Sequence, residues 1–186
     1  LESIPSTGSS LPAPGGPVDI SNGAALRSWI ANVGQELGSI DMLFSNAGAM
    51  AQGGDSASWE QNFRLDVLGA VNAFEAARPF LEASGEKTGD AAFIIISSVS
   101  AAQADINSSY GPIKAALIHM TKQLAAELAP NVRVNAIAPA VIRTDFARIL
   151  WEGEAGVKAA KSYPLQRLGE PEDCGEACRY LAAGAS

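Results

Sequence analysis

Cysteine, histidine and positive charge are scarce in this chain of 186 residues. Only two cysteines occur, Cys174 and Cys178. Two are too few for a disulfide framework, so a reducing, cytoplasmic compartment is expected. The single histidine, His119, has no cysteine or acidic cluster at ligand spacing, which argues for a structural role and against a metal site. Thirteen Lys and Arg stand against twenty Asp and Glu, for a net charge of -7. Without clustered cations, neither a nucleic acid nor an anionic membrane is an expected partner. No apolar run reaches the roughly 18 residues a membrane span requires. The first residues show no basic region followed by an apolar core, so a secretory signal is not expected. What remains is 47% apolar and 18% charged, a composition that buries a real core in one domain.

Four of the ten prolines fall between Pro5 and Pro17, so Leu1 to Val18 reads as a loop or tail. From Asp19 onward, helical and strand-sized patterns alternate. Ser21 is placed to cap a helix with Leu26, Trp29, Ile30, Val33 and Leu37 on one face, ended by Gly38. Ile40 to Ser45 is a short apolar strand closed by Asn46-Ala47-Gly48. Ser58 and Gln61 form a capping-box pattern for a helix to Leu81 carrying Phe63, Val67, Val71, Phe74 and Phe80. Ala91 to Ser97 is a second buried strand. Ser109 to Ala129 is a long helix, Val132 to Ile137 a third strand, and Phe146 to Tyr163 a mixed insertion broken by glycines. Pro171, with Glu172 and Asp173, opens the last helix. Strands separated by crossover helices predict an α/β fold with a doubly wound parallel sheet in a single domain.

In such sheets a ligand binds outside the carboxyl ends of the strands. Those ends read Ser45-Asn46-Ala47-Gly48, Ser97-Ser98-Val99-Ser100 and Pro139-Ala140-Val141-Ile142-Arg143-Thr144, all small, hydroxylated or backbone-exposing. Tyr110 and Lys114 share one helical face at i, i+4. An ammonium beside a phenol favours the phenolate, which makes tyrosine a usable acid or base. Ser98, twelve residues upstream, could donate to the same substrate oxygen. Cys174 and Cys178 share a face of the last helix and read as small buried hydrophobes. Trp151, Phe146, Ile149 and Leu150 form an apolar cluster open to two readings, a lid or core packing.

Asn46-Ala47-Gly48, Ser98, Tyr110-Gly-Pro-Ile-Lys114, Val132-Arg-Val-Asn135, Pro139 with Thr144, and Arg167-Leu-Gly-Glu-Pro-Glu172 occur in order. Together they resemble the short-chain dehydrogenase/reductase family from Asp19 to Ser186. The resemblance implies a Rossmann-type fold and hydride transfer between NAD or NADP and a carbonyl or secondary alcohol. It implies that Tyr110 exchanges the proton, Ser98 polarises the substrate oxygen and Lys114 holds the nicotinamide ribose. Ser97 is a rival to Ser98, because many family members separate serine and tyrosine by one residue more. Asn46, Ala47 and Gly48 would lie along the cofactor, Asp19 and Ile20 beside its adenine, and Pro139, Ile142 and Thr144 near its nicotinamide. The apolar segment after Thr144 corresponds to a substrate lid. A homodimer or homotetramer assembled through the two long helices is also implied.

The sequence departs from that pattern in five places. The Gly-rich phosphate-binding turn has no counterpart before Asp19, and Thr7-Gly8-Ser9-Ser10 is broken by Pro12, so the domain reads as incomplete at its N-terminus. A final strand after Ser186 is missing as well. Asp66 stands where the family often has a catalytic asparagine that relays protons to the lysine through water; its charge would alter the acidity of Tyr110. Ala140 and Ser45 replace a usual glycine and asparagine. A non-catalytic chain serving as a subunit or binding module is the alternative these departures raise.

Overall fold

The computed structural model describes residues 15–51, 53–104 and 108–184. The motif Thr7-Gly8-Ser9-Ser10 and most of the proline-rich segment lie outside the described residues. Three strands form one parallel sheet in the order β1 (Met42–Ser45), β2 (Ala91–Ile96), β3 (Val132–Ile137). The pairs Phe44–Ile94 and Ile94–Asn135 set the register. Helix α1 (Gly23–Leu37) precedes β1, and α4 (Tyr110–Leu128) crosses from β2 to β3. Between β1 and β2 run α2 (Ser56–Asn62), a π-helical turn (Phe63–Leu68) and α3 (Gly69–Thr88). The insertion resolves into α5 (Arg148–Trp151) and α6 (Gly153–Ser162), and α7 (Pro171–Ala182) closes the described chain.

β2 is buried on both faces, which is why its sequence is a continuous apolar run rather than an alternation. Phe93 and Ile95 enter the larger core, built with Leu26 and Ile30 of α1, Phe74 and Leu81 of α3, and Leu117 of α4. Phe74 stacks on Phe93 with ring centroids 5.6 Å apart. Ala92 and Ile94 face the other way, against Cys178, Leu181 and Ala182 of α7. Helices therefore cover both faces of the sheet, the doubly wound α/β arrangement expected. No described helix is long and apolar enough to cross a membrane.

The element boundaries correct several readings at the caps. Asn22, not Ser21, caps α1 by accepting the Ala25 N–H; Ser21 instead gives its own N–H to Asp19. Asp55, not Ser58, caps α2, accepting the Ser58 N–H at 2.8 Å. The helix expected to run unbroken from Ser58 to Leu81 is interrupted by the π turn and continues to Thr88. Phe63, assigned to its apolar face, is 44% exposed because the polar Asn62 and Asp66 take the inward positions. Gly38 ends α1 as predicted, at φ 78, a left-handed conformation that glycine adopts without penalty.

Candidate active site

A cavity of about 790 Å³ opens at the carboxyl ends of all three strands. Its position follows from the topology: parallel strands deliver their last residues and the following loops to one edge. Asn46, Ala47 and Gly48 line it after β1, Ser97 and Ser98 after β2, and Pro139, Ile142 and Thr144 after β3. Tyr110 and Lys114 line it from the first turns of α4, together with Ile20 from the segment before α1. Asp19 is not in the wall. Its carboxylate is exposed and held below the usual range by hydrogen bonds from Ser21.

The two adjacent serines are used differently. Ser97 donates its hydroxyl to the Lys114 carbonyl at 2.8 Å and so ties β2 to α4. Ser98 Oγ accepts only a long bond, 3.2 Å, from the Ser100 N–H and keeps its own proton available to the cavity. Lys114 is nearly buried; its Nζ lies 5.4 Å from the centre of the Tyr110 ring and donates to the Ile96 carbonyl at 3.2 Å. Beneath the wall, Asp66 Oδ1 is 2.6 Å from Lys114 Nζ, while Oδ2 accepts the Ala49 N–H at 3.0 Å. The π turn presents Asp66 there; such widened turns recur at functional sites.

Asn62, which the sequence reading passed over, is fully buried. It holds the loop after β1 by accepting the Ala51 N–H at 3.0 Å and donating to the Ala51 carbonyl, and it donates to Ser109 Oγ at 2.8 Å. Its spacing four residues before Asp66 was the available signal. Cys174 and Cys178 are half-buried rather than core residues and form part of the cavity wall. Burial pushes both thiols up. Phe146 and Leu150 face the cavity, whereas Trp151 anchors its segment by donating Nε1–H to the Thr144 carbonyl at 2.8 Å. His119 lies exposed on α4 and is not in the wall. Among the described residues no cluster of three or more metal-ligating side chains occurs.

The arrangement suits a flat, partly apolar ligand with one reactive oxygen: a hydroxyl donor, a phenol and an ammonium converge on a cavity whose wall includes the apolar Phe44, Ile96, Val141 and Ile142. The donor set and the small strand ends also fit the ribose and nicotinamide of a dinucleotide. Comparisons with known proteins agree. A family profile described as "Enoyl-(Acyl carrier protein) reductase" matches residues 3–186. Isoepoxydon dehydrogenase patN of Penicillium expansum is 31% identical over 187 residues, 95% of this chain and 69% of that protein. Dehydrogenase/reductase SDR family member 4 of Sus scrofa is 36% identical over 154 residues, 78% of this chain and 54% of the relative. The chain thus spans between about half and two thirds of the length of these relatives. The ligand-free aldohexose dehydrogenase of Thermoplasma acidophilum superposes with a TM-score of 0.81 at 29% identity, covering 89% of this chain and 69% of that one. A gluconate 5-dehydrogenase from Burkholderia cenocepacia, solved with NADP and tartrate, gives 0.82 at 26% identity, covering 91% and 68%.

Proposed function

Because the chain belongs to the short-chain dehydrogenase/reductase family, we propose that it transfers a hydride between NAD or NADP and a carbonyl or secondary alcohol. The observation that carries this reading is the convergence of Ser98, Tyr110 and Lys114 on one cavity at the strand ends. When bound, NAD(P) supplies or takes up the hydride. Ser98 donates a hydrogen bond to the substrate oxygen and polarises it. Tyr110 passes its phenolic proton to that oxygen in reduction and recovers it in oxidation. Lys114 orients the nicotinamide ribose and favours the phenolate. Asn46, Ala47 and Gly48 lie along the cofactor, and Pro139, Ile142 and Thr144 border the nicotinamide. Ile20 lines the adenine side with Asp19 at its rim. Phe146 and Leu150 cover an apolar part of the substrate.

The same reading includes a homodimer or homotetramer built on α2, α3 and α4 and a cytoplasmic setting. Exposed Trp59, Phe63 and Leu68 on the α2–α3 face favour such assembly, which light scattering of the purified chain tests. For the reaction itself the test is Tyr110→Phe in the full-length protein, read by the absorbance of reduced nicotinamide. A loss of at least about 100-fold in kcat is expected from removing the proton donor. Turnover at the wild-type rate would remove Tyr110 from the mechanism.

A further inference from the structure

Among the described residues, Lys114–Asp66 is the one ion pair whose partners are both buried, with side chains 7% and 0% exposed. Asp66 Oδ1 has no well-directed hydrogen bond, so its compensation is the ammonium 2.6 Å away. At that separation no water fits between them. A Cβ built on Gly48 would fall 2.5 Å from the same oxygen, so the backbone closes the other side as well. The carboxylate is therefore shut off from a solvent relay and acts on Lys114 by contact.

We propose that Asp66 is a positioning residue that neutralises Lys114 and thereby raises the pH at which Tyr110 works; the inference rests on the proposed hydride transfer. A lone ammonium beside the ring favours the phenolate. The carboxylate lies within about 8 Å of that ring, the most that the two separations through Lys114 allow, and opposes the effect. Through the Ala49 N–H, Asp66 also links the loop after β1 to the lysine.

Among the described residues, the other charges around α4 are paired elsewhere or exposed. On elements packed against α4, Arg64 donates to the Ser21 carbonyl, Arg133 pairs with Asp90, and Arg78 pairs with Glu82 and Glu127. Glu60 of α2 is exposed, as are His119 and Lys122 on α4 itself. Beyond the cavity, Arg143 pairs with Glu170 and Arg148 with Asp145. The Cys174 and Cys178 thiols, pushed up by burial, stay neutral near pH 7.

The test uses the full-length protein labelled with carbon-13 at tyrosine Cζ, titrated without cofactor, with the Tyr110 signal identified by Tyr110→Phe. Asp66→Asn removes the charge and keeps the shape. Its Tyr110 titration is expected about one pH unit below wild type, and the corresponding limb of the turnover profile should move with it. Superimposable titrations would overturn the proposal. If that variant does not fold, Asp66→Asn with Lys114→Met removes both charges and leaves neither partner buried alone. Neutralisation predicts that Tyr110 then rises by less than about one unit, because the deleted pair was already nearly neutral. A rise of more than about one unit would show an uncompensated lysine and sink the idea. The titration needs no turnover, so failure of the hydride-transfer reading would appear in the Tyr110→Phe kinetics and leave this result readable.

Discussion

Gly48→Ala is the sharpest probe of how tightly the site is built. Gly48 has ordinary backbone geometry for an L residue, so any cost comes from space alone. The added methyl would meet Asp66 Oδ1 at 2.5 Å, Cγ at 3.1 Å and Oδ2 at 3.4 Å. A carboxylate on a flexible surface chain would swing aside. This one is held by Lys114 on one oxygen and the Ala49 N–H on the other, so the loop or the helix must shift. Overpacking of this kind costs about 1–3 kcal/mol. For a chain of this size that corresponds to a melting temperature roughly 3–9 °C lower. Circular dichroism melts of wild type and Gly48→Ala measure the first value. Repeating the substitution in an Asp66→Ala, Lys114→Met background isolates the contact, since the obstructing carboxylate is then gone. The penalty should fall to near zero there. An equal penalty in both backgrounds would refute the steric argument and place the cost elsewhere in the loop.

Ser97→Ala should lower stability by about 1–2 kcal/mol, because it leaves the buried Lys114 carbonyl without that donor, and should keep most of the turnover. Ser98→Ala should do the reverse, with near-wild-type melting and at least a tenfold loss of kcat. Steady-state kinetics beside thermal melts separate the two, and reversed outcomes would exchange their roles. Asp173 gives a pH dependence of known sign. The Arg167 guanidinium, bonded to it at 2.7 and 2.9 Å, and the Glu170 N–H hold its carboxyl down at about 2, against an ordinary 3.8. A depressed carboxyl stabilises the fold above its unfolded value and loses that contribution as pH falls from 3.8 toward 2. Asp173→Asn should therefore flatten the acid limb of a melting profile in that window; an unchanged limb would show that the exposed pair contributes nothing.

The sheet was largely legible because each strand carries its burial in its composition. Val132 to Ile137 was bounded correctly by Pro130 and Pro139, and the three consecutive isoleucines of β2 mark a strand covered on both faces. Caps were harder, since Ser21 and Asn22 are both competent and the choice depends on where the backbone enters the helix. The π turn left no trace in the sequence: one widened turn shifts the apolar phase too little to break a helical pattern. Tyr110 and Lys114 could be paired from spacing within one helix. Their contact with Asp66 and the role of Asn62 could not, because those depend on how the π turn docks against α4. The glycine-interrupted insertion looked irregular, yet forms two helices divided at Glu152, whose extended backbone at ψ 139 ends α5 and leads into Gly153, the first residue of α6.

The Ser97 bond to the Lys114 carbonyl has a consequence for how the chain tolerates change in length. It fastens the end of β2 directly to the first turns of α4, and the strand pleat then turns Ser98 toward the cavity. The connection between Ser98 and Tyr110 has separate ties at its two ends, where the Val99 N–H donates to the Pro139 carbonyl and the Ser109 N–H to the Gly53 carbonyl. The Ser97 bond joins strand end to helix directly, so the placing of Lys114 beside β2 does not depend on the number of residues between Ser98 and Tyr110. Just inside those ties Val99 and Ser100 still line the cavity and Ser109 is buried against Asn62, so substitutions at either end of the stretch reach the chemistry.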